Sequence, residues 1–229
     1  MAIRCGVSGV VPPCLHALQV RGVTTSDIVI NSPRFLSIAH DHAMDDLATS
    51  LLSTLKRSSV SADVKTAQFN NLKSQIKHQR VPESAQSAIV ECVRLAIAAQ
   101  TSTTLVQAGF SALGHLVKRL TIQDQVGVLY APRHGLLQTL VDRLGDAKEG
   151  YRTAALQALV DLWPARQAEV ERFVREGAIQ GSHARGKEAG MQWVTKVIQE
   201  HGWVRECVML IAGRCTPSKT SNSSRSLRR

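Results

Sequence analysis

The chain has 229 residues, 44% of them hydrophobic, 20% charged and only 4% aromatic, with 28 Lys and Arg against 18 Asp and Glu. That length accommodates one large domain or two small ones with a real core, and the composition excludes wholesale disorder and a collagen-like chain. The formal charge of +10 divides into +1 over residues 1–43, +4 over residues 44–213 and +5 over residues 214–229, so half the excess is a tail on a mildly basic body. Such a body attracts acidic partners.

Ala, Leu, Gln, Lys and Arg are plentiful and alternating β-branched runs are missing, which is a helical vocabulary. Residues 1–43 have no sustained period and are expected to form a disordered or poorly ordered extension. Helical spacing begins at Met44. Leu47, Leu51, Leu52 and Leu55 define a first helix closed by Lys56, and a second runs from Ala62 to Lys77. Pro82 suits the first turn of a third helix, and Ser102 can cap a fourth that ends near Leu120. Thr121 is expected to cap a short helix to Tyr130, with Asp124 three residues on. Further helices are predicted from Leu136 to Leu144, stopped by Gly145; from Glu149 to Trp163; from Pro164 to Glu176; from Ala184 to His201, capped by Ser182; and from Trp203 to Ala212. Residues 214–229 form a basic Ser-rich tail without a core pattern, expected to be disordered.

A motif recurs among these helices: an alanine, then large apolar residues two, five and nine positions later. It occurs as Ala67, Phe69, Leu72, Ile76; as Ala108, Phe110, Leu113, Val117; as Ala154, Leu156, Leu159, Trp163; and as Ala189, Met191, Val194, Ile198. Successive alanines lie 41, 46 and 35 residues apart, close to the period of HEAT and armadillo repeats. The large residues share one helix face. The alanine is expected to let the preceding helix approach closely, so that hairpins stack over a common core. Lys65, Val106, Arg152 or Lys187 stands two residues before each alanine, and with Asp63 and Asp146 these suggest a ladder of charges between repeats. The expected fold is an all-α HEAT-repeat solenoid of about four and a half helical pairs over residues 44–213, incomplete at its C-terminal end.

In such a stack the turns inside successive hairpins line up along one edge. Those turns are residues 57–63, 100–104, 145–152 and 177–187. The first two are rich in Ser and Thr; the last two bring Lys148, Arg152, His183, Arg185 and Lys187 together with Asp146 and Glu149. Cations along an edge meet carboxylates or phosphates on a partner.

Several long stretches resemble a known family: SADVKTAQFNNLKSQIK (61–77), VPESA (81–85), AGFSALGHLVKRLTIQD (108–124), LVDRLGDAKEGYRTAALQALVDLWP (140–164) and ARGKEAGMQWVTKVIQEHG (184–202). The segment from Met44 to Gly213 is similar to the first TOG domain of CLASP-family microtubule-associated proteins of the fungal type. The resemblance implies that the turn edge faces αβ-tubulin or the microtubule lattice, through Ser61, Thr103, Lys148, Arg152, His183, Arg185 and Lys187. It further implies roles in microtubule stabilisation, spindle assembly and kinetochore attachment, with kinetochore or spindle proteins as further partners, in the cytoplasm, cytoskeleton, spindle and nucleus. TOG domains that grip free tubulin carry a tryptophan in the first turn; here Ser58, Ser59, Val60, Ser61 and Ala62 stand there. The alternative is a HEAT-repeat scaffold docking a kinetochore or cortical protein with little tubulin affinity. A full domain of this kind has six repeats, and stopping within the fifth reads as a truncated or alternatively spliced product.

Other chemistry is not expected. Cys5, Cys14, Cys92, Cys207 and Cys215 include no CxxC and suggest neither disulfides nor zinc. No apolar run reaches membrane-spanning length. The acids near His40 and His42 are explained by a helix N-terminus rather than a metal. Gly109 and Gly114 fall inside a helix and are no phosphate loop, while Trp163 and Trp193 belong to the core. A repeat fold reading RNA bases needs stacking side chains at equivalent positions, and none recur. The expectation is a binding module without cofactor, metal or catalytic site, with no nucleic-acid and no membrane partner.

Overall fold

The computed structural model describes residues 33–202, with side chains from residue 42 onward. The expected helix at Trp203–Ala212, the basic tail, and every cysteine except Cys92 lie outside the described residues. The packing below is that of the compact unit that begins at Ala39.

Among the described residues there are eight α-helices: α1 (Pro33–Lys56), α2 (Ala62–His78), α3 (Glu83–Ala98), α4 (Thr103–Ile122), α5 (Leu136–Leu144), α6 (Glu149–Leu162), α7 (Gln167–Val174) and α8 (Ala184–His201). Short 3₁₀ turns occupy Val126–Tyr130, Pro132–His134 and Trp163–Ala165, and a π-turn at Arg175–Ile179 extends α7. The second helix of each pair packs on the next such helix, α2 on α4, α4 on α6 and α6 on α8, while α3 packs on α5 and α5 on α7. Two layers of helices in register make the expected HEAT-type solenoid.

The recurring apolar positions build the core between the layers. Phe69, Leu72 and Ile76 of α2, Leu113 and Val117 of α4, Leu156, Leu159 and Trp163 of the third pair, and Val194 of α8 are all buried in one continuous cluster. Met44, Ala48 and Leu51 bring α1 into it. Trp163 and Trp193 are both buried, and the Trp163 indole donates to Glu171 Oε1 at 2.9 Å.

The small residue that permits close approach is not where the motif places it. Ala67 is exposed and Ala154 half-buried. The tight contacts fall one position later at Gly109 and Gly190, with Ala155 at the matching position of the third pair. A Cβ on Gly109 would stand 3.1 Å from the Ile97 nitrogen, one on Gly190 2.9 Å from Ile179 Cγ1, and Ala155 is fully buried. The equivalent residue of the first pair is Gln68.

Three other expectations are corrected. α1 begins at Pro33 rather than Met44, so the acids near His40 and His42 lie inside the helix and the N-terminus explanation for them fails. Asp45 instead accepts a 2.6 Å hydrogen bond from Ser84 Oγ of α3, and no group of three metal-ligating side chains occurs among the described residues. No helix begins at Thr121: α4 continues to Ile122, and Asp124 takes a left-handed φ of 57° that turns the chain. Gln123 holds this turn by accepting from the Val81 N–H and donating to the Val81 carbonyl. The residue capping α8 is His183, not Ser182, and it caps through its backbone alone.

Candidate binding edge

The first turn, residues 57–61, ends at Ser61, whose Oγ accepts from the Val64 N–H at 3.4 Å as an N-cap. Ser102 closes the second turn in the same way, accepting from Leu105 N at 3.2 Å. The first two turns flank a groove of about 350 Å³ between Ser58 and Val60 on one side and Thr101 and Ser102 on the other. The third turn touches the second through Lys148 Nζ, which donates to Thr103 Oγ1 at 3.2 Å. A larger groove of about 510 Å³ between α6 and α8 joins the third turn to the fourth, with Arg152 and Arg185 among its lining residues. The four turns therefore follow one another along one edge.

Arg143 organises that edge, and sequence reasoning missed it. Its side chain is buried, although it is a cation in the last turn of an apolar helix, two residues before the stop at Gly145. The guanidinium donates to the Ile97 carbonyl at 2.8 Å, the Ala99 carbonyl at 2.7 Å and Asp146 Oδ2 at 2.6 Å. It thereby satisfies the orphan carbonyls at the end of α3 and pins the third turn to the second repeat. Burial pushes the Asp146 carboxyl up, but the Lys148 N–H bond and the Arg143 guanidinium outweigh it and hold the group below its ordinary value. A cation in the last helical turn followed by Gly-Asp was the available signal.

The expected charge ladder has a different construction. Lys65 donates to the Leu55 carbonyl at 3.3 Å, tying α2 to α1 of its own pair. Arg152 donates to the carbonyls of Asp146 and Ala147, both at 3.0 Å, inside its own turn. The cations that link repeats are Arg143, Lys148 and Arg119, the last donating to the Ile76 and Lys77 carbonyls at the end of α2.

The sequence-predicted contact residues fall into two groups. Lys148 is engaged with Thr103 and lies 4.9 Å above the Tyr151 ring, which is itself buried, and Arg152 is spent on backbone carbonyls. Thr103 is exposed but already accepts from Lys148. Ser61, His183 and Arg185 are exposed and Lys187 is half-buried. The side chains of Arg185 and Lys187 have no hydrogen-bond or ion-pair partner among the described residues, so their charges are free for a ligand.

A stack of helical hairpins with a continuous turn edge defines a HEAT-type helical-repeat module. The family model described as "CLASP N terminal" matches residues 44–209. The chain belongs to this family. It is 48% identical over 159 residues to Protein STU1 of Coccidioides immitis and 44% identical over 156 residues to Protein STU1 of Phaeosphaeria nodorum, matches that cover 69% and 68% of this chain. The chain spans only 13% of the length of either relative. The crystal structure of the MAST/Orbit N-terminal domain superposes with a TM-score of 0.56 at 18% identity, covering 73% of this chain and 75% of that one, a likeness of fold.

Proposed function

We propose that this chain is a TOG-type module that binds αβ-tubulin or the microtubule lattice through its turn edge, serving microtubule stabilisation, spindle assembly and kinetochore attachment. The observation that carries the reading is the succession of four turns along one edge, the last followed by Arg185 and Lys187 in the first turn of α8 with their side chains unpaired among the described residues, Arg185 lining a groove with Arg152. Tubulin is acidic, so free cations on a rigid strip complement it. Ser61 and Thr103 supply hydroxyls at the other end of the strip. A second reading, a scaffold for a kinetochore or cortical protein, draws on the first turn, where exposed serines and a half-buried Val60 offer no aromatic anchor of the kind that dominates tight interfaces.

The test is co-sedimentation with microtubules at low salt, using the chain and its Arg185→Glu/Lys187→Glu variant. The expected result is binding that weakens with salt and falls roughly tenfold in the variant, at unchanged helix content. A chain that stays in the supernatant while capturing a kinetochore fraction supports the scaffold, and a variant that binds as well as the parent overturns the turn-edge assignment.

A further inference from the structure

A second charged surface lies at the other end of the same helices. Residues 64–80 and 102–123 contain no Asp or Glu. The later turns of α2 carry Lys73, Lys77 and His78, and the neighbouring turns of α4 carry His115 and Lys118. α2 packs on α4, and Arg119 fixes their ends together through the Ile76 and Lys77 carbonyls, so the five groups share one face of the helix pair. Lys77, His78 and Lys118 are exposed, and Lys73 and His115 are half-buried. From the first residue of each helix to this cluster is about 20 Å of helix, which separates it from the turn edge. Across the layer, Asp161 of α6 lines a groove with Gly114 and Val117 and accepts from Gln157. One helical turn beyond Lys118 stands Ile122, 78% exposed, an unusual exposure for a large apolar residue.

We propose that this face of α2 and α4 is a second docking surface, which takes an extended acidic peptide of a partner protein, its carboxylates on Lys73, Lys77, His115 and Lys118 and an apolar side chain on Ile122. Charge complementarity selects the anion, since the one acid on the two helices, Asp63, stands in the first turn of α2, at the opposite end from the cluster. The side-chain types select the peptide over other polyanions. Lysines and histidines lack the planar fork that grips phosphate bidentately, no aromatic is exposed among the described residues to stack a base, and a single exposed isoleucine is too little apolar surface for a bilayer. Burial first, and then the charges of Lys77, Lys118, Lys73 and His78, hold His115 below its ordinary value.

Fluorescence anisotropy of a fluorescein-labelled Glu-rich peptide carrying one Leu, titrated with the full chain, tests the surface. The Lys73→Glu/Lys77→Glu/Lys118→Glu variant is expected to lose about tenfold in affinity or more, and the Lys→Gln triple variant severalfold, both with parental circular dichroism. The Arg185→Glu/Lys187→Glu variant, which tests the turn edge, is expected to stay within about twofold of the parent. Ile122→Ser should weaken the Leu peptide and leave its Leu→Ser counterpart unchanged. No binding, equal losses in the α2–α4 and turn-edge variants, or preference for a poly-uridine RNA or phosphatidylserine vesicles overturns the proposal.

Discussion

Arg143 is a buried cation with three acceptors, and its arrangement decides how much a single side chain contributes here. Two of the acceptors are carbonyls that α3 cannot satisfy within itself, and the third is the carboxylate of the turn. Removing the guanidinium leaves all three short of a donor in a poorly hydrated place. Arg143→Ala is therefore expected to lower the unfolding free energy by about 2–4 kcal/mol, read from urea denaturation. Arg143→Lys should recover only part of that loss, because a single ammonium cannot reach carbonyls and carboxylate together. A loss below about 0.5 kcal/mol for the alanine variant would mean that the α3 end is held by packing alone. By contrast, Lys196 and Glu200 stand 3.8 Å apart with their side chains 35% and 40% exposed, and Lys196→Ala should change stability by less than about 0.5 kcal/mol.

At the scale of elements, α4 contains its own control experiment. Gly109 and Gly114 both weaken an isolated helix, by roughly 1 kcal/mol each relative to alanine. A Cβ on Gly114 meets nothing within 4 Å, whereas one on Gly109 stands 3.0 Å from Ile97 Cγ1 and 3.1 Å from the Ile97 backbone nitrogen. Gly114→Ala is expected to stabilise by about 0.5–1 kcal/mol and Gly109→Ala to destabilise despite its better propensity, because the backbone of α3 cannot yield. Thermal melts of the two variants moving in the same direction would contradict this packing. The pair also shows what the sequence could and could not reveal. Apolar spacing and caps are local, so Ser102 and the stop at Gly145 were legible, and the four repeats with them. The position of closest approach was not, since both Ala108 and Gly109 are small and only the facing helix tells which one it meets. For the same reason Lys148 and Arg152 read as free contacts: their partners lie on another repeat or on backbone carbonyls, to which sequence spacing is blind. Arg185 and Lys187, in the first turn of α8, also read as free, and their side chains have no partner among the described residues.

For the molecule as a whole, the shifted groups set a window of pH within which the solenoid is most stable. His134 is held low by burial and by Arg133, whose Nε donates to His134 Nε2 at 3.2 Å, while Glu91 pulls the other way and Arg94 adds to the depression. His115 is low through burial and the α2–α4 lysines. For both, the unfolded chain binds protons that the folded one refuses, so stability falls as pH drops through about 6.5, the ordinary histidine value. Glu91, held low by its hydrogen bond to Arg94, and Asp146 remain ionised through that range, and their contribution is lost only at more acidic pH, where they protonate. On the alkaline side, burial raises the Cys92 thiol to about 12 and also raises the Tyr130 phenol. The unfolded chain then releases protons first, and stability declines as pH rises beyond about 8.5. The melting temperature is expected to peak between about pH 7 and 8, with an acid limb in two stages. His134→Gln should make the first acid stage shallower, because an amide does not titrate. Cys92→Ala should lower the melting temperature throughout, since it opens a void beside Ala48, whose carbonyl accepts from the Cys92 thiol at 3.4 Å. The same substitution should flatten the alkaline limb, and an alkaline limb as steep as the parent's would show that the thiol titrates alike in the folded and unfolded chain.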